Sequence, residues 1–314
     1  MYDAYVISLN NPLNILYELK KYNLNSIWSK GLKYDNFDDE YIKKNTSPFY
    51  YKYGPKSSIA IALSHIKTWR KFLLSEKEVC MIFEDDVILI KDFDKELDIA
   101  LENTPKDFDI LYLGCFGCNS DLNCLTIPFS FVYKLNNTEI INDYIKKPKI
   151  VFALHGYVLS KKGAKKLIKS TEKNINNHID VMIFKLYNEG KIKLYSLRNR
   201  IAYQTSSDTC KSLNTNNYPF LINKILSPIK IDEMVSLSYY TSVSFLRIGN
   251  FNINTMTILF LITGFILKNK NVSIKNITIV FLLLSSPDLI KFKYVDTIVI
   301  YYLLLIFPSL FNLK

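Results

Sequence analysis

Between residues 57 and 86 the apolar period changes once, and that change constrains the fold more than any other feature of the chain. Ile59, Ala62, Leu63, Ile66, Trp69 and Leu73 recur at three- and four-residue intervals, which lays them along one face of a helix, with Ser57 or Ser58 as its expected cap. Residues 79–83 then form a short, continuous apolar run of strand type that stops abruptly at Glu84, Asp85 and Asp86. The same alternation runs through the rest of the first two thirds. Residues 5–9 read as a strand, Asn11 and Pro12 as a turn, and the stretch toward Tyr22 as a helix. Residues 109–113 and 151–159 read as strands, and Ser160 as the N-cap of a helix over 161–170. A helix over about 180–188 and a strand over 191–197 follow. Strands alternating with helices of this length predict an α/β sheet.

After about residue 230 the character changes, which divides the chain into an expected catalytic domain over 1–230 and a tail over 231–314. No charge lies between Arg247 and Lys268, and residues 255–267, 276–287 and 297–313 are almost wholly apolar. A membrane-crossing helix takes about 17–25 residues. The middle stretch is too short for that and the outer two are borderline. The tail therefore reads as an apolar, mainly helical region. Its basic flanks favour contact with a membrane surface over a span. Burial of the helices against protein is the alternative.

The net charge of +11 permits acidic partners, but no basic block with interleaved aromatics and no zinc-finger spacing appears, so nucleic-acid binding is not expected. The abundant Asn, Ile, Lys and Tyr are what AT-rich codons produce and carry no site. The first ten residues lack a basic n-region and a long apolar core, so a cytoplasmic start is expected, if anything at the cytoplasmic face of a membrane. Five cysteines, an odd number, fit reduced thiols. Cys115, Cys118 and Cys124 have metal-like spacing but no fourth ligand nearby, and read as loop thiols.

Three consecutive carboxylates at a strand end repel one another, so a fold gains little by gathering them without a cation. Oxygen ligands of this kind suit Mg²⁺ or Mn²⁺ bridged by substrate phosphates. A solvated acidic turn is the alternative.

The residues around this cluster resemble a known family. Ala62-Leu63-Ser64-His65, Trp69 and Phe83-Glu84-Asp85-Asp86-Val87 resemble the "A-L-S-H … W … L-E-D-D-V" segment of glycosyltransferase family 25. Asp109 to Gly114 resembles its "D-x-L-Y-L-G" strand, and His155-Gly156-Tyr157-Val158-Leu159-Ser160 with Gly163, Ala164 and Leu167 resembles its "G-Y-x-[IL]-S-x-x-[GA]-A-x-x-L". His178 to Phe184 resembles "H-P-V-D-x-M-x-F", and Ala202-Tyr203-Gln204 the late "A-x-Q". All five keep the family's order within residues 1–210. Where the family opens with "N-L-D-R … R", this chain reads Ser8-Leu9-Asn10-Asn11-Pro12, and only Ser29-Lys30-Gly31 stands for the "A-V-D-G" that follows.

The resemblance implies a GT-A fold, a Rossmann-like nucleotide-sugar-binding sheet whose acidic motif holds Mn²⁺ against a diphosphate. It implies inverting transfer of a hexose, galactose or glucose, from a UDP sugar to a glycan, glycolipid or protein hydroxyl. On that reading Asp86 and Glu84 contact the metal, with His178 as a third ligand, and Asp85 faces the ribose or a backbone amide. Asp180 is expected as the general base or an acceptor-sugar contact, with a plain helix cap as its alternative role. Ser8, Gly31, Ser64, His65 and His155 are expected near the donor, with Gln204 at the diphosphate. Gly156 is expected to allow close backbone approach, and Tyr157 to form an aromatic wall for the sugar. Two other readings use the same carboxylates or none: a nucleotidyltransferase or phosphohydrolase, and a membrane-associated protein with a degenerate transferase domain.

Overall fold

β1 (Asp3–Ser8) is flanked by two parallel neighbours, β2 (Asn25–Lys30) and β3 (Val79–Glu84), and this trio organises the first part of the chain. The computed structural model describes residues 2–118, 134–205, 219–232, 235–292 and 294–310. It divides into two compact units, Met1–Thr205 and Ser206–Lys314, so the division falls ahead of the expected residue 230.

In the first unit, helix α1 (Leu13–Lys21) lies between β1 and β2, helices α2 (Asp39–Asn45), α3 (Pro48–Tyr53) and α4 (Lys56–Leu73) follow one another between β2 and β3, and α5 (Phe93–Asn103) comes later. The remaining strands are β4 (Val87–Leu89), β5 (Ile110–Phe116), β6 (Glu139–Ile140), β7 (Ile145–Lys147), β8 (Phe152–Ser160), β9 (Leu194–Leu197) and β10 (Ala202–Gln204). Helices α6 (Lys161–Thr171) and α7 (Ile179–Asn188) complete it. Eight strands form one mixed sheet in the order β2-β1-β3-β8-β5-β9-β7-β6. β8 runs antiparallel to both β3 and β5, while β5 and β9 are parallel. Every residue of β5 is buried, as expected of a strand covered on both faces.

Of the helical face read from the sequence, Ile59, Ala62, Leu63, Ile66 and Trp69 are buried in α4, whereas Leu73 is only half-buried and Phe72 takes the inner position of the last turn. Its cap differs from expectation. Pro55 stands at the N-cap, and neither Ser57 nor Ser58 caps the helix; the Ser58 hydroxyl is bonded to His178 instead. Ser160 does cap α6, accepting the Gly163 N–H at 3.0 Å. Asp109, which opens the motif strand, is fully buried and accepts from Lys166 and from the Lys193 N–H at 2.8 Å. A Cβ on Gly163 would lie 2.3 Å from the Asp109 carbonyl oxygen, which explains the glycine there. The thiol expectation is overturned for one pair. Cys115 and Cys118 form a disulfide, their Cα atoms 5.9 Å apart across a turn that Gly117 makes with φ of 76°. Cys124 and Cys210 lie outside the described residues.

The second unit contains α8 (Phe220–Leu226), α9 (Leu237–Ser242), the strand pair β11 (Lys230–Asp232) and β12 (Val235–Ser236), and the hairpin of β13 (Ser244–Ile248) and β14 (Phe251–Asn254). Its bulk is three helices, α10 (Thr255–Asn269), α11 (Ile274–Ile290) and α12 (Val295–Leu310). They match the three apolar stretches of the sequence. Asn254 caps α10, accepting the Thr257 N–H at 2.9 Å. Met256, Phe260, Ile277, Phe281, Ile298 and Tyr301 form their common core. A Cβ on Gly264 would lie 2.3 Å from the Leu305 carbonyl oxygen, so α10 and α12 touch there backbone to backbone. Among the described residues no helix is long and apolar enough to cross a membrane.

Candidate active site at the carboxyl edge of the parallel strands

Strand register brings the first group of residues together. Ile7 of β1 pairs with Glu84, and Ser8 pairs with Lys30, so Ser8, Gly31 and Asp85 meet at the carboxyl ends of β1, β2 and β3. The Ser8 hydroxyl donates to the Asp85 carboxylate. The Gly31 N–H donates to the Ser8 carbonyl at 2.8 Å, and a Cβ on Gly31 would sit 3.3 Å from that carbonyl carbon. The Trp28 indole N–H donates to the same oxygen at 3.1 Å. Ser64 of α4 holds the next residue, accepting the Leu32 N–H at 3.2 Å while its hydroxyl donates to the Ala60 carbonyl at 2.8 Å. In open α/β sheets a crevice at the carboxyl strand ends is where ligands bind.

The three carboxylates diverge rather than converge. Asp85 is exposed beside Ser8. Glu84 turns to α4, where His65 Nε2 lies 3.3 Å from its carboxylate. His65 is fully buried, and its Nδ1 lies 3.0 Å from the Tyr157 hydroxyl, which also accepts the Trp69 indole N–H at 2.8 Å. His65 thus supports Glu84 from behind. Burial raises the Glu84 carboxyl above its ordinary value, and the nearby charges of Asp86 and Asp180 add to this, against the lowering effect of His65.

Asp86 belongs to the turn before β4, which pairs antiparallel with β10 so that Val87 faces Gln204. The Gln204 amide donates to Asp86 Oδ2 at 2.9 Å, and the Thr205 N–H donates to the Asp86 carbonyl at 3.1 Å. Asp86 Oδ1 is buried and takes no hydrogen bond from any described residue. A hard divalent cation fits the acidic turn at that oxygen, since such ions are often held by one or two carboxylates and completed by substrate phosphates. The expected set of Glu84, Asp86 and His178 is not assembled: among the described residues no group of three such side chains is placed to hold a metal.

His178, Asp180 and Ala153 form a second group of site residues. His178 is the N-cap of α7, and Asp180 lies in its first turn, so Asp180 is not the cap. The His178 ring lies 3.1 Å from the Ser58 hydroxyl. Asp180 Oδ2 accepts the Ala153 N–H at 3.1 Å and Oδ1 accepts the Val181 N–H at 2.8 Å, which fixes the carboxylate. Ala153 makes this contact with φ of 68°, a left-handed conformation that costs a residue bearing a Cβ about 1–2 kcal/mol. The phenol of Tyr112 is fully buried, and its ionisation is driven well up, first by burial and then by the Asp180 and Glu84 charges. Tyr112 therefore lies within electrostatic reach of both carboxylates. Ser58 and Tyr112 escape sequence reasoning. The only signal was a hydroxyl in each of two otherwise apolar patterns.

Three expected donor contacts prove to be packing residues. His155 is fully buried, its Nε2 is 3.3 Å from the Ala202 carbonyl, and burial pushes its pKa down to about 4. Tyr157 is fully buried between His65 and Trp69, so it forms no wall for a sugar. Gly156 pairs with Phe83, and the space beside it is taken by the Ala202 side chain, 3.0 Å from where a Cβ would be. The backbone that approaches closely there is protein. β8 is covered on both faces, which leaves its motif residues no route to the crevice.

Residues 1–183 match the model of a family described as Glycosyltransferase family 25 (LPS biosynthesis protein). No curated protein matches the chain. Among solved structures, HddC from Yersinia pseudotuberculosis complexed with GMP-PN is similar over 65% of this chain and 92% of that one, at 17% identity and a TM-score of 0.30.

Proposed function

The chain belongs to glycosyltransferase family 25, and from that premise we propose that it moves a hexose, galactose or glucose, from a UDP sugar to a hydroxyl of a glycan, glycolipid or protein acceptor, inverting the anomeric carbon. The observation that supports this most is the meeting of Ser8, Gly31 and the Glu84–Asp86 turn at the carboxyl edge of three adjacent parallel strands, with Asp180 within electrostatic reach of Glu84. The donor lies in that crevice as in a GT-A site. The exposed Asp85 and the Ser8 hydroxyl contact the nucleoside, and the backbone at Gly31 lies alongside it.

Asp180 is the general base. Two backbone N–H groups hold its carboxylate in place and leave lone pairs to take the acceptor hydroxyl's proton as the oxygen attacks the anomeric carbon. The bond to the diphosphate breaks on the opposite face. Glu84, raised by burial and steadied by His65, shapes the charge between base and donor. Mn²⁺ or Mg²⁺ would be held by Asp86 and completed by donor phosphates, and when bound would neutralise charge on the departing nucleoside diphosphate. Gln204 keeps Asp86 oriented for that role.

The test is UDP release from UDP-galactose and UDP-glucose, with Mn²⁺ and with EDTA, followed by NMR of the product's anomeric configuration. Metal-dependent release with inversion supports the reading. Release of nucleoside monophosphate from a nucleotide sugar would replace it with phosphohydrolase chemistry, and release of pyrophosphate from a nucleoside triphosphate with nucleotidyltransferase chemistry.

A further inference from the structure

The three long helices of the second unit are apolar on every face. On α10, Phe260 points inward while Ile262 and Ile266 are 48% and 52% exposed; on α11, Phe281 is inside and Leu283 is 64% exposed. On α12, Val299, Leu303 and Phe307 form an exposed stripe at every fourth residue. A helix apolar all round belongs in a protein interior or in lipid, and exposed patches of this extent mark an interaction surface. The helices have 15, 17 and 16 residues. At about 1.5 Å per residue they fall short of a hydrocarbon core roughly 30 Å thick. That length suits entry into one leaflet.

A cavity of about 350 Å³ lies among α8, α10 and α11, with walls of Ile222, Leu259, Phe260, Thr263, Val280 and Leu284. That volume is in the range of small-molecule sites. Leu267, Val272 and Asn276 line the end of the cavity at the α10–α11 turn, and the same turn carries Lys268, Lys270 and Lys275. Arg247 to Lys314 holds seven cations against two carboxylates, Asp288 and Asp296. Asp288 is turned inward, accepting the Phe220 N–H at 2.7 Å, and among the described residues the exposed Lys270, Lys275 and Lys291 outnumber the exposed Asp296.

We propose that this unit binds the surface of an anionic lipid membrane. The outer faces of α10–α12 enter one leaflet, the turn lysines meet headgroup phosphates, and one acyl chain occupies the cavity. An apolar slot ending at a cluster of lysines matches an amphiphile with a hydrocarbon chain and an anionic head. The proposal is independent of the transferase reading, since it uses no residue of the first unit.

The test uses the full chain in flotation with vesicles of phosphatidylcholine alone or mixed with phosphatidylglycerol. The protein should float with the mixed vesicles at low salt and far less with the neutral ones. The triple variant K268Q/K270Q/K275Q should lose about a hundredfold in partition, roughly fivefold per lysine. Both native tryptophans, Trp28 and Trp69, lie in the first unit, so Leu283→Trp at an exposed position reports the outer face. Its emission should be quenched by lipids brominated in the acyl chain. Thr263→Trp, which fills the cavity from its wall, should abolish binding of a fluorescent fatty acid that wild type binds. Absence of flotation with either vesicle would overturn the proposal. So would a stable dimer in which Leu283→Trp is shielded from an aqueous quencher without lipid, because a second copy would then cover the surface.

Discussion

His155 gives the sharpest test of the packing around the site, because its burial has a calculable effect in acid. The ring is enclosed between Phe116, 5.8 Å away centroid to centroid, and the β10 backbone, where Nε2–H donates to the Ala202 carbonyl at 3.3 Å. Its Nδ1 is buried and has no hydrogen-bond partner among the described residues, so a second proton there would be a charge with nothing to solvate it. Burial accordingly holds the folded pKa at about 4, against 6.5 for the free side chain. The folded value lies below the unfolded one, so the unfolded chain takes up the proton first as pH falls. The stability that neutral His155 contributes is complete above about pH 6.5 and is lost progressively toward pH 4. At about 1.4 kcal/mol per pH unit, the difference amounts to roughly 3 kcal/mol over that window. His155→Gln can keep a donor toward Ala202 and does not titrate. Urea unfolding followed between pH 4 and 7 should show the wild type losing stability relative to this variant. With only three histidines in the chain, the His155 ring resonance can be assigned by comparison with the variant and should titrate with a midpoint near 4. Parallel stability curves, or a midpoint close to 6.5, would refute the burial argument and return His155 to the solvent-facing crevice.

Other consequences are equally direct. Asp180→Asn should leave donor affinity unchanged and reduce turnover by about 10²–10⁴-fold, the usual contribution of a general base; full turnover would leave Asp180 only its role of joining α7 to Ala153. Gly114→Ala would put a Cβ 1.9 Å from the Ala202 carbonyl oxygen and 2.4 Å from His155 Nε2, so it should destabilise the first unit by about 1–3 kcal/mol or more in urea unfolding. Tyr157→Phe removes the hydroxyl that satisfies both His65 and Trp69. It should cost about 1–3 kcal/mol of stability while the KM for the donor stays within error, because Tyr157 does not face the sugar.

The parts of this fold legible in the sequence were those where burial is one-sided or abrupt. The helical face of α4 and the strand ending at Glu84 declare themselves by period and by a sudden change from apolar to acidic. The tail helices are legible from unbroken apolar runs. β2 was not, because an edge strand reading Asn-Ser-Ile-Trp-Ser-Lys carries little apolar signal. α5 was not, although Phe93, Leu97 and Ala100 have helical spacing; its many charges hide the face. Capping of α4 by serine failed because Pro55 already fixes the entry and the Ser58 hydroxyl is drawn to His178, 120 residues away. Site residues divide on the same principle. Ser8 and Glu84–Asp86 lie at the ends of strands the sequence shows, whereas Gly31 follows the unread β2 and was named only through the family resemblance. His155, Gly156 and Tyr157 sit mid-strand in β8, where a motif reveals that residues matter without revealing that both faces are covered. Side-chain direction at the Glu84–Asp86 turn was also out of reach, since strand alternation ends at Glu84 and tertiary partners take over.

The central claim is that the carboxyl edge of β1, β2 and β3 binds a nucleotide sugar with a divalent cation held through Asp86. Calorimetric titration of a UDP- and GDP-sugar panel into the wild-type chain and into Asp86→Asn, with Mn²⁺ and then with EDTA, tests it most directly. The account predicts binding of a UDP-hexose by the wild type in Mn²⁺ only, with that metal dependence lost in Asp86→Asn while thermal unfolding is unchanged. Equal binding with and without metal in both proteins, or no binding of any donor by the wild type, would contradict it.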